Sequence, residues 1–355
     1  MNIGTVFSGI GAPEQAFNGI LGHNKVKVLF ACDNGEIEIP LSKEQILEES
    51  KNFKSLEDCV VNIYSRFGIN YMQRSYLANY KTETFYQDIR FIDGKKYKGK
   101  LDFYIGGSPC QSFSAMGHRK GLEDARGTLF YEYARIIKEA SPKVFIYENV
   151  PGMMTLDNGK TWERILDIFE SLGYNYSYAV LNSADYGIPQ NRKRLYVVGI
   201  RKDLSKTKFI FPKGIKLAKK ASDFYEDKID PKYYFKEVGF RFITTHPGRA
   251  KINESIIRTE KANQQFNWNG DFVFEPIDLV RHKEALEYGA YIGVFKGQRG
   301  LARKLTPTEC LDLMGFKDFK IVVDDHRMWR QAGNSMVVNV MEAIIKKVAL
   351  ETGLL

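Results

Sequence analysis

The chain has 355 residues, 44% of them hydrophobic and 27% charged, with 52 Lys+Arg against 43 Asp+Glu for a formal net charge of +9. This length buries a large core and suits two domains, and the composition excludes a disordered chain. No apolar run reaches the roughly 18 residues that span a membrane, no basic-then-apolar leader opens the sequence, and four scattered cysteines show neither zinc spacing nor a disulfide framework.

From residue 1 to about 200 the pattern alternates between strand and helix. Residues 4–7 are strand-like, 13–21 helical and 26–31 a second strand. A long insertion over 34–75 follows, in which Ser42 and Gln45 match a capping box that opens a helix. Residues 84–86 and 101–105 read as the third and fourth strands. The segment 128–140 carries Leu129, Tyr133, Ile136, Ile137 and Ala140 on one face at helical spacing. Residues 144–147 form a fifth strand, then Trp162, Ile165, Leu166, Phe169 and Leu172 share a helix face, and 176–181 and 195–200 close the series. Such alternation predicts an α/β fold with a doubly wound, mostly parallel sheet covered on both faces. The alternation is lost from about 213 to 300, a stretch rich in aromatics with Pro231 and Pro247, and a helical pattern returns over 336–349. The expected division is 1–212 with 320–355 as one domain and 213–319 as a smaller, irregular one.

The chemistry concentrates at strand ends, the edge where open α/β sheets bind ligands. Phe7-Ser8-Gly9-Ile10-Gly11 lets backbone approach a ligand at a helix N-terminus. Glu14 stands where a dinucleotide fingerprint wants its third glycine, so a ligand with a nucleoside and an amino acid but no pyrophosphate suits the turn better. Asp33 and Asp88 end the second and third strands and can accept from ribose hydroxyls and an adenine amino group. Cys110 follows the fourth strand in Gly106-Gly107-Ser108-Pro109-Cys110, and Glu148 follows the fifth. Taken singly these are ordinary surface, capping or core residues; five on one edge are not. In Gln190-Asn191-Arg192-Lys193-Arg194 the two arginines share a strand face and can clamp a phosphate, a base edge or Glu148. Gln331-Ala332-Gly333-Asn334-Ser335 opens the last helix, with Asn334 either its cap or a reach toward the cofactor.

These motifs, with Arg303-Lys304-Leu305-Thr306-Pro307, resemble the cytosine-5-specific DNA methyltransferase family over 4–200 and 303–349. The resemblance implies a Rossmann-like S-adenosylmethionine-dependent methyltransferase fold, S-adenosylmethionine as donor with S-adenosylhomocysteine as product, no metal, and a flipped-out cytosine in duplex DNA as acceptor. It implies Cys110 as nucleophile, Glu148 at ring nitrogen 3, and Arg192 and Arg194 as supporting groups. Its cofactor pocket maps onto Phe7, Gly9, Ile10, Gly11, Asp33, Asp88, Ile89, Pro109, Leu129, Asn334 and Ser335, and its target-recognition domain onto 213–319. Gln111, Ser114 and Gln190 fall in DNA-side motifs. The 114–124 loop is expected to close over DNA, with His118, Arg119 and Lys120 on phosphates and Met116 as a wedge. Arg241, Arg249, Arg258, Gln264, Gln265 and Asn267 are compositional candidates for reading base edges. A monomeric cytoplasmic enzyme of a bacterial or phage-infected cell, paired or not with a restriction endonuclease, is the expectation.

Three departures stand out: Ser108 where a second proline is commonest, Asn34-Gly35 where a bulkier residue packs on adenine, and the long insertion. The rival within the family, a transfer-RNA cytosine methyltransferase, carries threonine after the loop phenylalanine, whereas Ser114 follows Phe113 here. A catalytically dead DNA-binding protein is disfavoured by intact Cys110, Glu148, Arg192 and Arg194. A dehydrogenase lacks the third glycine, and an amino-methylating enzyme lacks its Asp/Asn-Pro-Pro-aromatic loop.

Overall fold

The computed structural model describes residues 1–23, 25–109 and 129–355. Its elements in chain order are β1 (Asn2–Val6), α1 (Ala12–Leu21), β2 (Lys27–Cys32), α2 (Lys43–Ser50), α3 (Leu56–Phe67), α4 (Tyr71–Asn79), β3 (Phe85–Tyr86), β4 (Phe103–Gly106), α5 (Leu129–Ala140), β5 (Val144–Asn149), α6 (Lys160–Ser171), β6 (Tyr174–Asn182), β7 (Gln190–Asn191) and β8 (Lys193–Arg201). Then come α7 (Glu237–Thr245), β9 (Lys251–Ile252), β10 (Ile257–Arg258), β11 (Asp271–Pro276), α8 (Lys283–Glu287), β12 (Gly293–Phe295), β13 (Gln298–Arg303), α9 (Pro307–Asp312), α10 (Asp325–Asn334) and α11 (Val338–Glu351). No helix among the described residues is long and apolar enough to cross a membrane.

The described residues divide into two compact units, 1–181 with 193–213 and 340–355, and 182–192 with 214–339. Residues 182–192 and 320–339, expected with the catalytic domain, therefore group with the second unit. The first unit holds a seven-stranded sheet in the order β3-β2-β1-β4-β5-β8-β6. The pairs β2–β3, β1–β2, β1–β4 and β4–β5 are parallel, and β5–β8 is antiparallel. Central strands buried on both faces need continuous apolar runs, which Phe103-Tyr104-Ile105 and Val144-Phe145-Ile146-Tyr147 supply with every side chain buried. Aromatic rings then close the layers: Tyr104 stacks on Tyr133 of α5 with centroids 4.8 Å apart, and Phe145 on Phe169 of α6 at 5.2 Å.

The insertion folds as three helices with their own apolar cluster of Ile46, Cys59, Val60, Ile63 and Tyr64. The capping box read from Ser42 and Gln45 is present at α2, with Gln45 N donating to Ser42 Oγ at 3.3 Å and Ser42 N to Gln45 Oε1 at 2.8 Å. Two local expectations are corrected. β1 stops at Val6 because Phe7 adopts φ 51°, outside any strand. The segment Gln331–Asn334 closes α10, with Ser335 as its C-cap, rather than opening the final helix.

The second unit contains a four-stranded sheet, β12-β13-β11-β9, and the two-stranded pair β10-β7. Phe235, Phe240, Ile243, Phe272 and Phe274 form its apolar cluster. Beside it lies a buried charge network. Arg303 donates to Glu275 Oε1 at 2.8 Å and forks onto both oxygens of Glu309 at 2.8 and 2.9 Å. Tyr234 and His282 meet the other Glu275 oxygen at 2.8 and 2.9 Å. Burial pushes the Glu260 carboxyl in the same unit up to about 8, with the Cys310 thiol and the Arg192 guanidinium pulling it back. Folded Glu260 therefore keeps its proton where the unfolded chain, titrating near 4.5, has lost it. Stability falls as pH rises through that window. Thermal melts of Glu260→Gln are expected to lose less stability than wild type between pH 5.5 and 8; parallel profiles would refute the assignment.

Candidate active site

Parallel strands carry the site residues of the first unit to one sheet edge. After β1, the chain turns through Phe7 at φ 51°, Gly9 at φ 53° and Gly11 at φ 86°, the last being the N-cap of α1. Ser8 Oγ accepts from Cys32 N at 3.0 Å and donates to Cys32 O at 3.2 Å, which pins this turn to the end of β2. A Cβ on Gly11 would lie 2.3 Å from the Tyr80 ring, so no larger residue fits. At Gly9 an added Cβ would meet nothing within 4 Å among the described residues, which leaves room for a ligand.

Asp33 is held by the backbone: Gly9 N donates to Oδ2 and Gly35 N to Oδ1, each at 2.8 Å. Burial raises its carboxyl above the ordinary range against the pull of those two donors. Asp88 is buried, capping a short 3-10 turn and accepting from the Arg90 backbone at 2.9 Å, its guanidinium at 2.7 Å, and Tyr64 OH at 3.2 Å. The expected adenine acceptor is thus already in an ion pair. Ile89 is buried, Ile10 is fully buried, and Leu129 packs half-buried against the main core. Glu14 is buried under the turn, where Thr5 Oγ1 and Tyr76 OH each donate to its Oε1 at 2.7 Å; burial raises its carboxyl.

Glu148 lies inside β5, one residue before its end, and Arg194 of the adjacent antiparallel β8 places Nε 3.2 Å from its Oε1. Gly107, leaving β4, passes so close that a Cβ there would sit 2.6 Å from the Glu148 carbonyl and 3.0 Å from Oε2. Ser108 Oγ lies 2.7 Å from Tyr147 OH, and Asn149 Nδ2 donates to Ser108 O and to Tyr147 OH, both at 2.9 Å. The hydroxyl that stands where proline is commonest thus ties the loop to β5. The loop beyond Pro109 carries Cys110, Gln111, Ser114, Met116, His118, Arg119 and Lys120, and all seven lie outside the described residues.

The structure separates the two arginines that sequence spacing paired. β7 ends at Asn191 and β8 begins at Lys193, so Arg192 sits in a tight turn, its N donating to Gln190 O at 3.0 Å, and strand alternation does not apply. Its buried side chain donates to Glu260 O at 2.7 Å, Gly333 O at 3.0 Å and Ser335 O at 2.7 Å within the second unit. Gln190 is equally committed there, to Leu313 O at 2.8 Å and Glu260 N at 3.0 Å. Asn334 and Ser335 belong to the second unit, Asn334 exposed and Ser335 buried.

Among the expected base readers, Arg241 is exposed and paired with Glu237 at 2.7 Å, and the Arg249 guanidinium lies over the Phe242 ring at 5.3 Å. Arg258 pairs with Asp271 at 3.3 Å and donates to the Arg249 carbonyl at 2.8 Å. Gln264 and Gln265 are corrected: both are buried, Gln265 bonding Leu305 N and Asp271 O, each at 3.2 Å. Asn267 is exposed. The sequence reading missed Tyr64, Asn70 and Tyr76. The usable signals were Asn70 as a capping residue three before Gln73 and Tyr64 on the apolar stripe of α3.

A mostly parallel seven-stranded sheet of this order, with acidic groups and an ion-paired glutamate at its carboxyl edge, marks an α/β enzyme whose ligands bind at strand ends. The model of the family described as C-5 cytosine-specific DNA methylase matches residues 50–349, and the chain belongs to that family. It is 33% identical to the type II methyltransferase M.SsoII of Shigella sonnei over 81% of this chain and 73% of that protein. It is also 33% identical to the type II methyltransferase M.HhaI of Haemophilus parahaemolyticus over 82% of this chain and 88% of that one. The S. pombe Dnmt2 methyltransferase shares the fold, with a TM-score of 0.68 and 17% identity over 99% of this chain and 98% of that chain.

Proposed function

We propose that the protein transfers a methyl group from S-adenosylmethionine to carbon 5 of a cytosine flipped out of duplex DNA, through a covalent Cys110 adduct. The observation that carries this reading is the Glu148–Arg194 pair at 3.2 Å, abutting Gly107 at the root of the Cys110 loop. The cradle around Gly9, Asp33 and Asp88 fits the donor: it offers open space at Gly9, two acidic groups at strand ends and no phosphate-binding third glycine. Asp33 would hold the ribose and the segment at Asp88, whose carboxylate is already engaged by Arg90 and Tyr64, would line the adenine end, and the bound donor supplies a methyl group activated on a sulfonium.

The chain supplies the rest. Carbon 5 of cytosine is too poor a nucleophile unaided. The Cys110 thiolate adds to carbon 6 while Glu148 gives a proton to nitrogen 3, and the ring becomes an enamine whose carbon 5 takes the methyl group. A base then removes the proton from carbon 5, the carbon–sulfur bond breaks, the thiolate leaves and nitrogen 3 returns its proton. One hard step becomes two easier ones. Arg194 fixes the orientation of Glu148, and base extrusion brings the target atom within reach.

Incubation of the purified protein with methyl-tritiated S-adenosylmethionine is expected to label duplex DNA as 5-methylcytosine and to leave transfer RNA unlabelled. Label confined to transfer RNA, or absent from DNA, would overturn the reading. Bisulfite sequencing of DNA from an expressing strain then reads out the target sequence.

A further inference from the structure

We propose that the inserted helices α3 and α4 position the methyl donor's nucleoside, with Tyr64 and Asn70 as positioning residues; this rests on the reading of the Asp33 and Asp88 segments as the donor site. Within the first unit, the first turn of α1 and the ends of β2 and β3, which together build the cradle, each receive one side chain from α3, α4 or the residue that caps α4. Tyr76 OH donates to Glu14 Oε1 beneath the glycine turn at 2.7 Å. Asn70 Nδ2 donates to the Asp33 carbonyl at 2.7 Å. Tyr64 OH donates to Asp88 Oδ2 at 3.2 Å.

Asn70 does two jobs. Its Oδ1 caps α4 by accepting from Gln73 N at 2.8 Å. The same side chain leaves no room at Gly35, where a Cβ would fall 2.3 Å from Oδ1; Gly35 has φ 64° and its N holds Asp33 Oδ1. The Asp33 carboxylate is therefore oriented by a turn that Asn70 braces from behind. Tyr64 and Arg90 both hold the Asp88 carboxylate, so the segment it caps cannot shift without breaking both contacts. The insertion has an apolar cluster of its own for stability. Burying three further polar groups costs desolvation unless each is bonded, and each bond ends on a different segment of one cradle. A purely structural appendage has no need of that convergence.

The test uses the full chain and two conservative variants. Tyr64→Phe removes one hydroxyl, and Asn70→Ser keeps a capping oxygen while losing the amide that reaches Asp33. Each is expected to raise the dissociation constant of S-adenosylhomocysteine, measured by calorimetry without DNA, by about 5- to 10-fold. The KM for S-adenosylmethionine should rise in proportion, while kcat at saturating donor falls less than about 3-fold and Tm moves by only a few degrees. Unchanged dissociation constants in both variants, or kcat losses with KM unmoved, overturn the proposal. Asp33→Ala separates the two levels. If it binds S-adenosylhomocysteine as wild type does, the reading of the donor site fails; if it loses binding while Tyr64→Phe and Asn70→Ser keep it, only the positioning role fails.

Discussion

Replacing Cys110 with alanine is expected to abolish methyl transfer, with a loss on the order of 10⁴-fold or more, because a nucleophile that forms the covalent intermediate has no substitute in the mechanism. Binding of duplex DNA should survive, since phosphate contacts carry most of that affinity. The paired measurement is methyl incorporation and filter binding on one duplex. The wild-type protein should also form a denaturation-resistant adduct with DNA carrying 5-fluorocytosine, whose fluorine blocks the loss of a proton from carbon 5, and Cys110→Ala should form none. Measurable turnover by the alanine variant would remove the sulfur from the mechanism.

Glu148→Gln is expected to slow transfer by ~10² to 10⁴-fold, the usual cost of a lost positioned acid. Glutamine keeps the shape next to Gly107 but has no proton to give to nitrogen 3 and no charge for Arg194, 3.2 Å away. The effect should fall on the chemical step in single-turnover kinetics, with donor binding little altered, because the proposed role of Glu148 is at the cytosine ring and not at the donor. Wild-type single-turnover rates would show that nitrogen 3 finds its proton elsewhere.

The sheet was legible because buried parallel strands leave unmistakable apolar runs, as in 144–147, and because α5 and α6 repeat their apolar residues near every 3.6 positions. The edge residues Asp33, Asp88 and Glu148 were legible for the same reason: once strands are parallel, their ends coincide. The Arg192 environment was not. No glycine occupies the 190–193 turn, and its three carbonyl partners lie 68 to 143 positions away in the chain. Gln264 and Gln265 failed likewise, since polar composition says nothing about distant backbone partners such as Leu305 N. The inserted helices were visible through the Ser42 capping box, but nothing in the sequence singles out Tyr64 or Asn70 as site residues, and only three-dimensional packing joins them to the Asp88 carboxylate and the Asp33 carbonyl.

The Arg303 network constrains any exchange of the 271–300 stretch with that of a relative. Glu275 sits on β11, His282 precedes α8, and Arg303 and Glu309 flank the segment 304–308 that follows β13. A chimera that imports a foreign 271–300 stretch without a carboxylate at 275 strands one face of a fully enclosed guanidinium, a defect worth about 3 to 5 kcal/mol when a buried ion pair loses a partner. Successful grafts should therefore carry the two carboxylates and the arginine together as a single heritable cassette, and vary the hairpin between β12 and β13 instead.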